Sequence, residues 1–225
     1  MGFSKKQHLQ QNIDALRIAF KLEKEKRQAT VGERLLMMQY SGFGGLKFVL
    51  NPAQNPIDIN HWRKTEHELF PVTQELHQLL KENATDEKQY RRYVDSMRSS
   101  VLTAFYTPPL VIDAVSTSLK DNSVNIQKFL EPSAGIGSFI QSFAEKGVQQ
   151  VTAYEKDFLT GKILKQLYPD NTIQIKGFEE TNFSNNLFDI AIGNVPFGDF
   201  KVNDREYDKN KFLIHDYFFA KTLDK

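Results

Sequence analysis

Two glutamates and a pair of glycines are spaced as in a corner that binds a nucleotide-like ligand. Residues 128–139 read KFLEPSAGIGSF, which predicts a short buried strand, a turn at Gly135 and Gly137, and then a helix. Glu131 stands at the end of that strand. Glu155 ends the next predicted strand, twenty residues after Gly135, where an acid that binds ribose hydroxyls is expected.

The residue types at this corner favour a cationic ligand without phosphates. The third glycine of a dinucleotide fingerprint is missing, because Ile140 stands in its place. A carboxylate at Glu131 suits a cation better than a pyrophosphate. S-adenosylmethionine (SAM) has a ribose and an ammonium group but no phosphate, so we expect SAM as the cofactor. The alternative is an ordinary strand, turn and helix with a charged turn.

A second motif, NVPF at Asn194 to Phe197, follows another predicted strand and indicates an amine acceptor site. An exocyclic amine such as adenine N6 becomes positively charged as it attacks a methyl sulfonium, and two acceptors aimed at its hydrogens stabilise that charge. The Asn194 side chain and the Val195 carbonyl are the candidate acceptors. Pro196 restricts Val195 to an extended conformation, and Phe197 offers a face for stacking on a base. A common strand-ending turn is the alternative.

Composition excludes several function classes. The 225 residues contain no cysteine, which rules out disulfides, zinc bound by cysteine, and cytosine-C5 methylation through a cysteine nucleophile. The five histidines show no metal-binding spacing, so no metal is expected. No apolar run is long enough to cross a membrane, and the start lacks a signal sequence. We therefore expect a soluble, cytoplasmic protein.

Hydrophobic periodicity divides the chain into a helical region, residues 1–103, and an α/β region, residues 104–225. Strands and helices alternate in the second region, which predicts a doubly wound, Rossmann-like parallel sheet. The predicted strands are 128–130, 148–154, 172–176 and 187–193. The predicted helices of this region are 110–119, 138–146, 158–167 and 213–224.

The order of motifs resembles that of amino-group DNA methyltransferases of the adenine-N6 type. TPP stands at Thr107 to Pro109, before EPSAGIG at Glu131 to Gly137, and NVPF comes last. One departure is Val195, which replaces the first proline of the family motif and keeps the carbonyl. The resemblance implies Asn194, Val195, Pro196 and Phe197 as the catalytic residues.

The resemblance also implies the roles of the residues that contact SAM. Phe178 is expected to stack on its adenine, and Glu179 to accept from its N6. The predicted cofactor-binding residues are Tyr106, Thr107, Glu131, Pro132, Ser133, Gly135, Gly137, Glu155, Phe178 and Glu179.

A closer resemblance covers nearly the whole chain. Segments such as YSGFGGLKFVLNP, SSVLTAFYTPP, YEKDFLTGKILKQLYPD and IHDYFFAKTLD are similar to the opening region of very large methylase–helicase proteins of plasmids and conjugative elements. This resemblance implies DNA as the substrate, with its target adenine flipped out. It also implies a helicase and a target-recognition region in a longer protein, and a role in restriction evasion.

Two other functions remain open from the residues. A protein-glutamine N5 methyltransferase uses a similar amide nucleophile and a related motif. A non-catalytic module that keeps the fold for DNA binding or docking is the second alternative. The resemblance implies seven strands for a complete SAM-methyltransferase sheet, of which only about four are predicted here. We therefore expect an incomplete sheet in a fragment or leading piece of a longer protein, which alone binds SAM weakly and methylates no DNA.

Overall fold

The computed structural model describes residues 4–103, 106–145, 147–148 and 150–225, and these form a mixed α/β fold. A helical region precedes a four-stranded parallel sheet with interleaved helices, which confirms the predicted fold class. The helices are α1 (Lys5–Glu25), α2 (Val31–Met37), α3 (Phe70–Glu82), α4 (Glu87–Thr103), α5 (Pro109–Asp121), α6 (Ser138–Glu145), α7 (Phe158–Leu167) and α8 (Ile214–Asp224). The strands are β1 (Lys128–Glu131), β2 (Gln150–Tyr154), β3 (Thr172–Gln174) and β4 (Ile190–Ala191).

Short 3-10 helices occur in the connections. One of these helices lies within and just beyond the stretch 51–60, whose two Asn-Pro pairs predict a loop. They cover Lys47–Leu50, Pro56–His61, Lys64–Leu69, Phe178–Glu180 and Asp208–Asn210. Ala104 and Phe105, at the predicted change from helical to α/β structure, lie outside the described residues, as do Lys146 and Gln149 at the ends of predicted elements.

Local sequence signals explain where several helices begin. The Thr30 hydroxyl accepts from the Glu33 N–H at 3.3 Å, and the Glu33 carboxylate accepts from the Thr30 N–H at 2.9 Å. This reciprocal capping satisfies N–H groups that have no partner within α2. Pro71 and Pro109 stand in the first turns of α3 and α5, where a missing N–H costs nothing. In the described parts of the chain, no helix is both long and apolar enough to cross a membrane.

The chain divides into two compact units, and helix α7 belongs to the first of them. One unit consists of Met1–Phe105 with Asp157–Leu167, and the other of Tyr106–Lys156 with Tyr168–Lys225. In sequence, α7 connects β2 to β3, the position of a crossover helix in a parallel sheet. The helical unit therefore includes a segment from within the predicted α/β region.

Polar and aromatic contacts hold α7 in the helical unit. The Asp157 carboxylate accepts from the Ser96 hydroxyl at 2.6 Å and from the Thr160 N–H at 2.8 Å. The ring of Phe158 stacks on that of Tyr93 with centroids 5.6 Å apart. Apolar side chains of α7, Leu159 among them, are fully buried. These contacts make α7 part of the hydrophobic core of this unit.

The second unit is built on the sheet, whose strand order is β3-β2-β1-β4. All of its pairings are parallel, with Glu131 opposite Ala153 and Phe129 opposite Ile190. Phe129 and Leu130 point to opposite faces because side chains alternate along a strand. Phe129 stacks on Phe143 of α6 at 4.8 Å, whereas Leu130 lies in a buried cluster with aromatic residues of α8.

The fourth strand, Ile190–Ala191, is shorter than the predicted strand 187–193, although the N–H groups of Asp189 and Ile192 beside it still donate to the carbonyls of Lys128 and Leu130 at 3.0 Å. The N–H groups of Leu187 and Phe188 donate to the carbonyl of Lys225. The Asp189 carboxylate accepts from the backbone N–H groups of Gln127 and Lys128 at 2.9 and 2.7 Å. Within the described residues, β4 pairs with β1 and forms one edge of the sheet.

Candidate functional site

The predicted site residues of the sheet follow the carboxyl ends of its strands. Because the strands are parallel, these ends lie at one edge of the sheet. Across the sheet, the four segments that follow β3, β2, β1 and β4 form what we name the strand-end row: residues 177–180, 155–156, 131–137 and 193–198. Neighbouring strands lie about 4.8 Å apart, so the row extends over roughly 14 Å.

The glycine turn after β1 binds directly to Glu155 after β2. Gly135 and Gly137 have φ angles of 56° and 79°, a left-handed conformation that side chains disfavour. The Gly135 N–H donates to Glu155 Oε2 at 2.7 Å, and the Ala134 N–H donates to the Tyr154 carbonyl at 2.9 Å. The structure therefore brings together the turn and the acid that the sequence placed twenty residues apart.

Tyr106 packs against the glycine turn. A Cβ atom on Gly135 would lie 2.9 Å from Cε1 of the Tyr106 ring, closer than side-chain atoms approach one another. Tyr106 thus covers the backbone of the turn. Both the positive φ angle and the contact with Tyr106 require glycine at position 135. Thr107, the next predicted site residue, is partly buried just ahead of α5.

Glu131 is a buried carboxyl group with an unpaired oxygen. The residue is 1% exposed, and the N–H of Ile140 in the first turn of α6 donates to its carboxylate. Its Oε2 atom has no hydrogen-bond partner among the described residues. Burial, together with the nearby negative charge of Glu155, raises the pKa of Glu131 well above its usual range. A group that donates a hydrogen bond or carries positive charge would satisfy this oxygen.

The NVPF motif lies beside the turn after β1. The Ser133 hydroxyl donates to the backbone carbonyl of Asn194 at 2.8 Å. A Cβ atom on Gly193 would lie 3.5 Å from Pro132 and 3.6 Å from the Glu131 side chain, an ordinary contact distance. The ends of β1 and β4 are therefore in contact, which places Asn194 close to the buried acid.

Two further residues of the motif, Val195 and Phe197, differ in exposure. The side chain of Val195 packs against the buried cluster that contains Leu130 and Tyr217. This packing anchors the motif where the family motif has a proline. Phe197, by contrast, is 63% exposed.

Phe178 occupies the hydrophobic core. It is 1% exposed, and its ring lies 5.2 Å from that of Phe218 in α8 and 6.1 Å from that of Tyr154. Lys221 of α8, itself 1% exposed, donates to the Phe178 carbonyl at 2.9 Å. The ring is therefore packed in the core, and the adenine-stacking role expected for Phe178 stays a prediction.

Glu179 lies at the β3 end of the strand-end row and forms an ion pair that sequence reasoning missed. Its Oε1 atom accepts from the Lys156 ammonium at 2.5 Å. Lys156 immediately follows Glu155, and β2 is the neighbour of β3 in the sheet. The available signal was a lysine next to Glu155, the acid predicted to bind ribose, but the partner of this lysine depends on the turn Phe178–Glu180.

Comparisons with known proteins find a partial match in a phage protein. No family model matches it, and no solved structure matches it. Over 130 residues, 55% of this chain, it is 35% identical to "Defense against restriction protein B" of Escherichia phage P1. The match covers 6% of that protein. The chain is therefore similar to a small part of a much longer phage protein named for defence against restriction.

Proposed function

We propose that the strand-end row binds SAM and that this chain takes part in transferring its methyl group to the N6 amine of adenine in DNA. The observation that carries the proposal is the buried Glu131, whose Oε2 atom has no partner among the described residues. A buried carboxyl group with an unsatisfied oxygen is costly, and the ammonium group of a ligand would satisfy it. Two carboxylates at one glycine turn also disfavour a phosphate ligand.

The chain's own residues would each hold a different part of the cofactor. Glu155 accepts from the Gly135 N–H through Oε2, which fixes the carboxylate for ribose hydroxyls to donate to it. Glu131 would pair with the ammonium group, and Glu179 would accept a hydrogen bond from the purine amine. When bound, SAM supplies an electrophilic methyl group on its sulfonium.

The NVPF motif would hold the acceptor amine. Ser133 fixes the Asn194 carbonyl, and Pro196 restricts Val195 to an extended conformation, so the motif is held before a substrate arrives. The Asn194 side-chain oxygen and the Val195 carbonyl would accept from the two N6 hydrogens and stabilise the positive charge that develops on the nitrogen. Phe197 would stack on the extruded base.

DNA is the substrate that the phage relative favours. Its name links it to defence against restriction. Adenine presents its N6 amine in the major groove, where nucleases read it, so a methyl group there changes the pattern that a restriction enzyme recognises. We further propose that the chain acts within a longer protein that carries the helicase and target-recognition regions.

The test is a single-turnover transfer assay with methyl-labelled SAM, duplex DNA containing an unpaired adenine, and an excess of the longer protein that contains this chain. The longer protein is used because the 225 residues alone are expected to methylate no DNA. An unpaired base costs less to extrude, so the assay depends less on a target-recognition region. The proposal expects label in N6-methyladenine and none with Asn194→Ala, which should still bind SAM.

A parallel reaction contains total cell protein in place of DNA, and label in protein glutamine there, with none in DNA, would show the alternative methyltransferase. SAM binding without transfer to unpaired adenine would show a non-catalytic module. Either result would overturn the proposed activity.

A further inference from the structure

Lys156 and Glu179 join the segments that follow two neighbouring strands. The Lys156 ammonium donates to Glu179 Oε1 at 2.5 Å. Lys156 comes two residues after the end of β2, and Glu179 lies in the turn Phe178–Glu180 that follows β3. The pair therefore closes the β3 end of the strand-end row, beside the acid proposed to hold the ribose.

The Glu179 carboxylate is also confined by Gly177. A Cβ atom on Gly177 would overlap the Cδ atom and both carboxylate oxygens of Glu179. Any other residue at this position would displace the carboxylate, so the glycine allows the acid to lie against the backbone. Gly177 itself is buried.

The two partners of the ion pair differ in exposure. The Glu179 side chain is 14% exposed, whereas the Lys156 side chain is 69% exposed. The ammonium thus approaches from the solvent side and occupies one oxygen of a largely buried acid. In the described residues, the carboxylate makes no other hydrogen bond or ion pair.

We propose that Lys156 is a positioning residue that fixes Glu179 to read the 6-position of the cofactor's purine. An ionised carboxylate accepts hydrogen bonds and cannot donate them. With Oε1 held by Lys156, Oε2 is the acceptor for a 6-amino group, which donates. This inference rests on the proposed function, because it requires the cofactor to lie along the strand-end row.

The same arrangement should reject a 6-oxo purine. Hypoxanthine presents a carbonyl oxygen at this position, so two acceptors would face each other and Glu179 Oε2 would lack the donor that a 6-amino group provides. A lost hydrogen bond to a charged group corresponds to about a tenfold to hundredfold weaker binding. We therefore expect the site to prefer a 6-amino ligand by a factor in this range.

The experiment compares the affinities of S-adenosylhomocysteine and S-inosylhomocysteine, its hypoxanthine analogue, by calorimetry on the 225-residue chain. The wild type should bind the adenine compound about ten to a hundred times more tightly. Lys156→Met should remove most of that preference, and Lys156→Arg, which keeps a cationic donor, should retain it. Lys176→Met is the matched control, because the Lys176 ammonium approaches the Glu180 carbonyl at 3.4 Å rather than Glu179.

The outcomes separate this inference from the proposed function. Binding of neither compound by the wild type would refute the proposed cofactor itself. Binding of both without preference would leave the cofactor in place and overturn the selectivity of Glu179. An unchanged preference in Lys156→Met, or an equal loss of affinity for both compounds, would overturn the positioning role of Lys156.

Discussion

Replacing Glu131 with glutamine keeps the size of the side chain and removes its ionisable proton. The Ile140 N–H can still donate to the amide oxygen, while the amide NH₂ takes the place of Oε2, the oxygen without a partner among the described residues. Glutamine also removes the repulsion between this group and the Glu155 carboxylate. We therefore expect Glu131→Gln to stabilise the chain in the absence of ligand and to weaken SAM binding.

The stability difference should depend on pH in a defined direction. Burial and the charge of Glu155 raise the pKa of Glu131 in the folded chain, whereas in the unfolded chain it is close to the ordinary value of about 4.3. Between these two pKa values the folded state binds more protons than the unfolded state, so wild-type stability falls as pH rises. The slope is on the order of 1 kcal/mol per pH unit, and Glu131→Gln should lack it.

The effect on ligand binding has the opposite sign. Glutamine cannot pair with an ammonium group as a carboxylate does, so S-adenosylhomocysteine should bind about ten to a hundred times more weakly to the variant. Wild-type affinity should rise with pH through the raised pKa of Glu131, because the ammonium group favours the ionised carboxylate and displaces its proton. The variant should lack this proton release.

Urea unfolding of both proteins across a pH series measures the first effect, and calorimetry in buffers of different ionisation enthalpy measures the second. Equal affinity of Glu131→Gln and the wild type for S-adenosylhomocysteine would refute the pairing of Glu131 with the ammonium group. Parallel stability curves for the two proteins across the pH range would refute the electrostatic argument.

Three further substitutions test other parts of the site. In the longer protein, Asn194→Ala should abolish methyl transfer and leave SAM affinity within about twofold, because the side chain would contact the amine and not the cofactor. Transfer assays and filter binding measure these two quantities. Gly135→Ala should cost about 1–3 kcal/mol in urea unfolding, because the φ angle and Tyr106 both oppose a side chain. Gly45→Ala is its control, with φ 74° and no atom within 4 Å of the added Cβ, so an equal cost there would contradict the contact argument. Lys221→Met should cost about 3–5 kcal/mol in the same measurement, since it removes the 2.8 Å ion pair between the buried Lys221 ammonium and the largely buried Asp204 carboxylate, and a cost below 1 kcal/mol would show that this pair is dispensable.

The sequence predicted the site residues that are brought together by following successive parallel strands. In parallel strands, residues just past the strand ends share one edge of the sheet. Glu131, Gly135, Glu155 and Asn194 could therefore be assigned to one region from hydrophobic runs and spacing alone. The Thr30 capping box was also predictable from the sequence, because Thr30 and Glu33 lie within one helical turn.

Features that depend on packing between distant segments were not predictable in this way. An aromatic residue after a strand can face a ligand or the core, and the Phe178 ring packs against aromatic residues of α8 in the core. Helix α7 has the apolar pattern of a crossover helix, yet its core partners lie in the helical unit. The Lys156–Glu179 ion pair requires both the strand order and the close approach to Gly177, which no local pattern encodes.

A crystal structure of the chain with S-adenosylhomocysteine tests the central claim most directly. The account predicts a ligand extended along the strand-end row, with its purine amine about 3 Å from Glu179 and its ribose hydroxyls on Glu155. Its ammonium group should lie next to Oε2 of Glu131, and its sulfur should face Asn194. A ligand bound elsewhere on the chain, or lying along the row in the reverse direction, would contradict the account.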